Sequence, residues 1–303
     1  MEVDNAPIVV LINQHSERAT RRVANLLLTS LLIDRVSFMQ SATPFYIVAF
    51  NRIKGLQMAV EFVKRSTIPI ELIILDMGST WGPYIEYRDS LDVQVHSFPF
   101  GTGPRDLWVT GELAKLGQGG FFLSDGDIDY SEVADDAAQK MIELSEKYPW
   151  IPKVGLALKI TDLPFDFEAN RLREWAIIDW KVALTKNVYL TGLDTTTAYY
   201  PRRDKTFYYR PGLRIAGKYQ AIHYPWYERP ENYDDEARFY TNLASANISS
   251  AQAGLMPNRN YKMKRLIWIR IYSILKYPMK SRYFGKVCVR ILSYRGTIPP
   301  LNA

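Results

Sequence analysis

From residue 44 the apolar positions change their spacing, and strand-length runs begin to alternate with helical ones. Phe45-Tyr46-Ile47-Val48-Ala49-Phe50 and Ile70-Glu71-Leu72-Ile73-Ile74-Leu75 are nearly continuous apolar runs, the pattern of strands buried on both faces. Between them Leu56 to Val63 repeats with helical period, and Val93-Gln94-Val95-His96 gives a third, weaker strand. Arg105 to Leu116 reads as a helix, and Gly119 to Ser124 as the fourth strand. Strands alternating with helices predict right-handed βαβ units and a parallel sheet. Before this region, Ile8 to Ile12 reads as a strand and Ala19 to Ile33 as an amphipathic helix, an extension spanning 1–43.

After residue 130 the alternation is less regular. A helix is predicted over 131–147, a strand over Val154 to Ile160, and a helix holding Trp175 and Trp180 that runs to about Leu184. Short strands follow at Asn187–Leu190, Thr195–Tyr200, Thr206–Tyr209 and Tyr219–His223. The pattern divides the chain into the extension 1–43, an α/β domain 44–235 with halves 44–130 and 131–235, and a helical tail 236–303.

Each strand end carries polar residues. The first closes on Asn51-Arg52, the second on Asp76 with Met77-Gly78-Ser79-Thr80 after it, and the fourth on Asp125-Gly126-Asp127-Ile128-Asp129. In an open α/β sheet, ligands bind at the carboxyl ends of the strands. Asp125 and Asp127 at i, i+2 around Gly126 offer hard oxygen ligands for Mg²⁺ or Mn²⁺, which commonly carries phosphate. A solvated Asp-Gly turn has the same composition. An EF-hand does not fit, because Tyr130 stands where that loop needs glycine and Asp136 where it needs glutamate. Asp76 is suited to a ribose or a base edge. No Gly-x-Gly-x-x-Gly follows the first strand, and no Gly-Lys-Ser/Thr loop occurs, which excludes dinucleotide dehydrogenases and P-loop ATPases.

Composition adds a charge asymmetry. The net charge is +6, yet residues 1–259 hold 28 bases against 32 acids; Glu236 is the last acidic residue and ten Lys and Arg fall in 260–303. Leu266, Ile267, Ile271, Ile274 and Leu275, with Trp268 and Tyr272 beside them, make this a basic amphipathic segment suited to an anionic membrane surface. Nucleic acid ranks lower as a partner, since no binding motif accompanies the charge. A solvated helix packed on the domain is the third alternative. The single cysteine, Cys288, excludes an intramolecular disulfide. Met1-Glu2-Val3-Asp4-Asn5 is acidic where a signal peptide is basic, and no uncharged apolar run spans a bilayer. The expectation is a cytoplasmic protein, peripheral on the membrane face.

The ordered set strand–Asn51-Arg52, strand–Asp76-x-Gly-Ser-Thr and strand–Ser124-Asp-Gly-Asp-Ile resembles the nucleotide-binding half of GT-A glycosyltransferases, similar to family 2 enzymes of bacterial and viral type. The likeness covers roughly 44–230. It implies a GT-A fold, Rossmann-like, with a mostly parallel central sheet flanked by helices and a small β-rich acceptor half. It also implies a metal-dependent hexosyltransferase of polysaccharide biosynthesis. The donor would be a nucleotide-diphosphate sugar, UDP-sugar foremost, and the acceptor a glycan or lipid-linked hydroxyl. Asp76 would contact the nucleoside, with Asn51, Arg52, Arg105 and Trp108 near the nucleotide, and Asp125, Gly126 and Asp127 would form the metal motif for Mn²⁺ or Mg²⁺.

Two later segments carry the resemblance further: Gly192-Leu193-Asp194-Thr195-Thr196-Thr197, and Ala221-Ile222-His223-Tyr224-Pro225-Trp226-Tyr227. By that likeness His223 completes the metal shell. Asp194 is the candidate general base, with Glu174 and Asp179 as alternatives, because this chain has Trp175-Ala176 where relatives have Trp-Glu. A nucleotidyltransferase of the same fold is the alternative activity, although Ala49-Phe50-Asn51-Arg52-Ile53 lacks the Gly-rich loop those enzymes need. A non-catalytic membrane- or nucleic-acid-binding protein that uses the basic tail is the alternative of another class.

Overall fold

A computed structural model describes residues 42–193, 196–201 and 210–243, with Arg105, Phe167, Trp175, Ile178, Arg210 and Pro211 described by backbone alone. The chain divides into two compact units, Met1–Ala42 and Thr43–Ala303, and the fold below belongs to the second. The expected strand at 8–12, the helix at 19–33, the strand at 206–209 and the basic tail at 260–303 lie outside the described residues.

The first half follows the predicted alternation closely. β1 (Thr43–Ala49), α1 (Ile53–Lys64), β2 (Ile70–Asp76), α2 (Gly82–Asp89) and β3 (Gln94–Ser97) come in order. Then come α3 (Pro104–Val109), α4 (Glu112–Lys115) and β4 (Phe121–Asp125). The single helix expected over 105–116 is two short ones, because Gly111 takes a left-handed φ of 76° between them. β1 pairs in parallel with β2 and β4, and β2 pairs in parallel with β3.

Period-2 alternation on β1 serves both faces of this sheet. Phe45, Ile47 and Ala49 pack with Leu56, Ala59 and Phe62 of α1. Tyr46 and Val48 point the other way, into a core with Leu107, Trp108 and Leu113. A strand covered on both faces has no solvent-facing position to mark with a polar residue, which is why it reads as an unbroken apolar run.

The second half is β-rich and less regular, as its sequence pattern suggests. β5 (Ile128–Asp129), α5 (Ala137–Lys147), β6 (Val154–Leu158) and α6 (Phe167–Ala176) are followed by a 3-10 turn, Ile177–Trp180. β7 (Ala183–Thr185), β8 (Val188–Leu193), β9 (Ala198–Tyr200), β10 (Arg210–His223) and α7 (Asp235–Leu243) complete the order. The ten-stranded sheet runs β3-β2-β1-β4-β9-β6-β10-β8-β7, with β5 pairing β10 off this path. β9 is antiparallel to both β4 and β6, while β6 and β10 are parallel. The result is an α/β fold with a mixed, largely parallel central sheet flanked by helices, of GT-A or Rossmann-like architecture. The helix expected to reach Leu184 ends at Ala176, and Leu184 lies in β7. The helix expected over 131–147 begins at Ala137, and Asp129 Oδ1 instead accepts from the Ser131 N–H at 2.7 Å, in the turn before it.

One close approach sets the position of the turn after β4. A Cβ on Gly55, in the first turn of α1, would lie 1.8 Å from the Gly126 carbonyl oxygen, and a Cβ on Gly126 would lie 2.7 Å from the Val48 carbonyl oxygen. Both obstacles are backbone, so neither can be relieved by a side-chain rotation. Gly55→Ala is therefore expected to destabilise the protein by about 1–3 kcal/mol, the usual cost of overpacking. Urea unfolding of the full chain checks this, and a midpoint equal to the parent's would contradict it.

Candidate active site

The candidate site is assembled at the carboxyl ends of β1, β2 and β4. Asn51 takes a left-handed φ of 52°, a conformation asparagine tolerates better than most residues. This turns its side chain toward the loop after β2, where Oδ1 accepts from the N–H groups of Thr80 and Trp81 at 2.8 and 2.9 Å. Its own N–H donates to Ser79 Oγ at 3.0 Å. Asn51 thus ties two strand ends together and satisfies the N–H groups of the two residues that lead into α2.

Asp76 is 2% exposed and is held from within the protein. Its Oδ1 accepts from the Ser79 N–H at 2.9 Å, and Oδ2 pairs with the Arg88 guanidinium of α2. Arg52 is also buried. Its guanidinium lies 2.9 Å from Glu228 Oε1 and 3.8 Å from Glu236 Oε1, and 4.0 Å from the centre of the Tyr240 ring. Burial works against the charge on Arg52, but Tyr224 and the hydrogen-bonded Glu228 outweigh it and raise its pKa.

The carboxylate turn is fixed from three sides. Ser124 Oγ, Tyr130 Oη and Thr197 Oγ1 form a closed triangle of buried hydroxyls, with Thr197 at 2.7 Å from Ser124 and 2.9 Å from Tyr130. α1 closes the second side through Gly55. β5 closes the third, pairing antiparallel with β10 so that Ile128 faces His223 and Asp129 faces Ile222.

That last pairing brings His223 to Asp127, with Nε2 3.3 Å from Asp127 Oδ2. The imidazole also packs against Trp226, ring centres 5.0 Å apart. Asp127 Oδ1 is buried and meets no hydrogen-bond donor among the described residues. Burial alone would raise the Asp127 pKa; the neighbouring His223, and beyond it Arg52, lower it below the usual carboxylate value.

This donor set suits a divalent cation. A carboxylate oxygen left buried without a donor is costly unless something positive meets it, and an imidazole nitrogen stands beside its sibling oxygen. Among the described residues no group of three or more His, Cys, Asp or Glu is assembled to hold a metal. Mg²⁺-type sites often use one or two protein ligands and complete the shell with substrate phosphates and water.

No family model matches the chain, and no curated protein matches it. Solved structures do resemble it. Residues 1–349 of S. aureus TarS superpose with a TM-score of 0.41 at 11% identity, over 79% of this chain and 81% of that one. Glucosyl-3-phosphoglycerate synthase from Mycobacterium tuberculosis, crystallised with Mn²⁺, UDP-glucose and phosphoglyceric acid, gives 0.36 at 16% identity over 54% and 57%. The CMP:2-keto-3-deoxy-manno-octonic acid synthetase complexed with CTP gives 0.34 at 12% over 75% and 86%. Likeness at this level carries no residue role and no reaction across.

The remaining candidates are dispersed. Glu174 is exposed on α6. Asp179 is buried in the 3-10 turn after α6, accepting from Thr191 Oγ1 at 2.6 Å with Arg214 Nε 3.8 Å away. Asp194 and the Arg105 side chain lie outside the described residues, and Trp108 is buried against Phe121 and Tyr200. Two acids the sequence did not single out as site residues, Glu228 and Glu236, converge on Arg52 from nearly two hundred residues downstream. The one available signal was that Glu236 is the last acidic residue in the chain. No helix among the described residues is long and apolar enough to cross a membrane.

The Asp127–His223 pair has a definite pH signature. A depressed folded-state pKa contributes stability that is present above the unfolded value, about 4, and is lost as pH falls through the folded value. His223→Ala removes a main source of the depression and leaves burial to act. The Asp127 carboxyl of that variant should titrate at higher pH than in the parent, as read from carboxyl-carbon NMR. The stability difference between the two proteins should narrow below about pH 4. An unchanged Asp127 titration would contradict the pairing.

Proposed function

We propose that the protein transfers a sugar from a nucleotide-diphosphate sugar, UDP-sugar foremost, to a hydroxyl of a glycan or lipid-linked acceptor. The observation that carries this reading is Asp127: a buried carboxylate oxygen without a donor among the described residues, its sibling oxygen beside His223, at the carboxyl ends of the parallel strands β1, β2 and β4. Asp127 and His223, which meet in this structure, would hold Mn²⁺ or Mg²⁺ on the donor diphosphate with phosphate and water completing the shell; Asp125, at the end of β4, would have to move to join them. When bound, such a cation supplies Lewis-acid stabilisation of the charge that develops on the departing diphosphate.

The chain's own residues would do the rest. The hydroxyl triangle and the Gly55 contact keep the carboxylate turn rigid, so little reorganisation is needed when the diphosphate charge develops. Asn51 and Asp76 hold the two loops that line the nucleoside side of the crevice. The Asp76 carboxylate and the Asn51 side-chain oxygen are engaged within the protein, so their part is to shape that wall. Asp194, next after β8, is assigned as the base that takes the acceptor hydroxyl proton. Asp179 is spent on Thr191 and Arg214, and Glu174 is exposed. The segment after β5 would form the acceptor side.

Purified protein incubated with UDP-sugars and Mn²⁺ should release UDP, and EDTA should abolish that release. Asp127→Ala should weaken Mn²⁺-dependent UDP binding by at least about tenfold, a loss of about 1.4 kcal/mol by calorimetry. Full activity in EDTA, or unchanged affinity in Asp127→Ala, would overturn the proposal. Release of pyrophosphate from a nucleoside triphosphate would instead identify the nucleotidyltransferase alternative.

A further inference from the structure

Helix α7 begins where the sequence places the start of a separate tail, yet its first turn reaches back into the candidate site. Glu236 is 5% exposed. Its Oε2 accepts from the backbone N–H groups of Ile53 and Lys54 at 2.7 and 3.1 Å, the first two residues of α1. Among the described residues, no side chain of the α1 N-cap, Arg52, performs that service. Glu236 thus supplies, from 183 residues away, the acceptor that a local N-cap normally provides. Its other oxygen lies 3.8 Å from the Arg52 guanidinium.

Three further contacts seat α7 on the strand-end loops. Phe239 stacks on Trp81 with ring centres 5.8 Å apart, Tyr240 meets Phe50 edge-on at 6.0 Å, and the Tyr240 ring carries Arg52 at 4.0 Å. Lys54, beside the cap, pairs with Asp234 just before the helix. The residue after Lys54 is Gly55, which abuts the carbonyl of Gly126. A path of direct contacts therefore runs from Glu236 through the first turn of α1 to the turn that carries Asp125 and Asp127.

We infer that Glu236 is a positioning residue of the donor site, fixing the start of α1 and offsetting the charge of Arg52 so that the Asp125-Gly126-Asp127 turn can accept a cation. The inference rests on the donor-site reading above and adds α7 to that site. Arg52 bears on Asp127 electrostatically. Glu236 and Glu228 offset a positive charge that would otherwise oppose a metal ion there.

Two variants of the full chain separate this role from simple stabilisation. Glu236→Gln keeps an oxygen acceptor for the Ile53 and Lys54 N–H groups but removes the charge; Glu236→Ala removes both. With Mn²⁺ and UDP as probes in calorimetry, Glu236→Gln should melt close to the parent and bind about threefold more weakly, and Glu236→Ala should lose about tenfold or more. Amide exchange without ligand should quicken at 53–54 and at 125–129 in Glu236→Ala and stay near the parent rate in Glu236→Gln. Parent-like affinity in Glu236→Gln would overturn the charge role, and unchanged exchange at 125–129 in Glu236→Ala would overturn the mechanical one. If Glu236→Ala does not fold, the Glu236→Gln affinity decides. If the parent itself binds neither Mn²⁺ nor UDP, the donor-site reading fails, and the exchange measurement still decides whether Glu236 fixes the turn.

Discussion

The contact between Gly55 and Gly126 is the constraint on which the candidate site depends. A Cβ on Gly55 would strike the Gly126 carbonyl there, and a Cβ on Gly126 would strike the Val48 carbonyl at the end of β1. The meeting places the first turn of α1 directly behind the turn that carries Asp125 and Asp127. It lets that turn follow β4 closely enough for β5 to pair with the end of β10. The pairing in turn sets Ile128 opposite His223 and so carries the imidazole to Asp127. A larger residue at Gly55 would push the turn away from the helix, and one at Gly126 would push it away from the end of β1; in either case the histidine register would no longer serve it.

Around this contact the protein buries several charges, which is costly unless each finds a partner. Arg52 meets Glu228 and Glu236, Asp76 meets Arg88, and Asp179 meets Thr191 and Arg214. Pairs of this kind contribute little net stability compared with well-packed apolar residues. They do penalise any arrangement in which one partner is displaced, so they hold loops from different parts of the chain in one geometry. Asp127, whose side chain is partly exposed, differs from the buried Asp76, Asp179 and Glu236 in having a buried oxygen with no donor among the described residues. Asn51 Nδ2 and Arg52 Nε, in the same candidate site, are likewise buried without a hydrogen-bond partner among the described residues, so unmet polar atoms gather around this turn.

The two halves of the fold were unequally legible for a physical reason. β1, β2 and β4 lie in a parallel array covered on both faces, so their apolar runs are long and their ends fall at Asn51, Asp76 and Asp125. β7 and β9 have three residues each and β5 has two, too short to establish a period. The antiparallel insertion of β9 between β4 and β6 is a matter of long-range pairing that local pattern does not encode. Among the candidate site residues, Asp127 and His223 lie beside each other, whereas Asp179 accepts from Thr191 Oγ1.

The sequence by itself determined the α/β class, the strand ends that carry polar residues and the carboxylate turn after β4. These follow from local periodicity and from the steric demands of glycine. Only the tertiary structure decided which of those polar residues are paired inside the protein and which keep a buried atom without a partner among the described residues. That depends on partners such as Arg88, Glu228 and Glu236, and most of all Glu236, whose acceptor role at α1 spans 183 residues. Hydrogen bonding and charge pairing act through space over a few ångströms, and no spacing along the chain records who will be within reach.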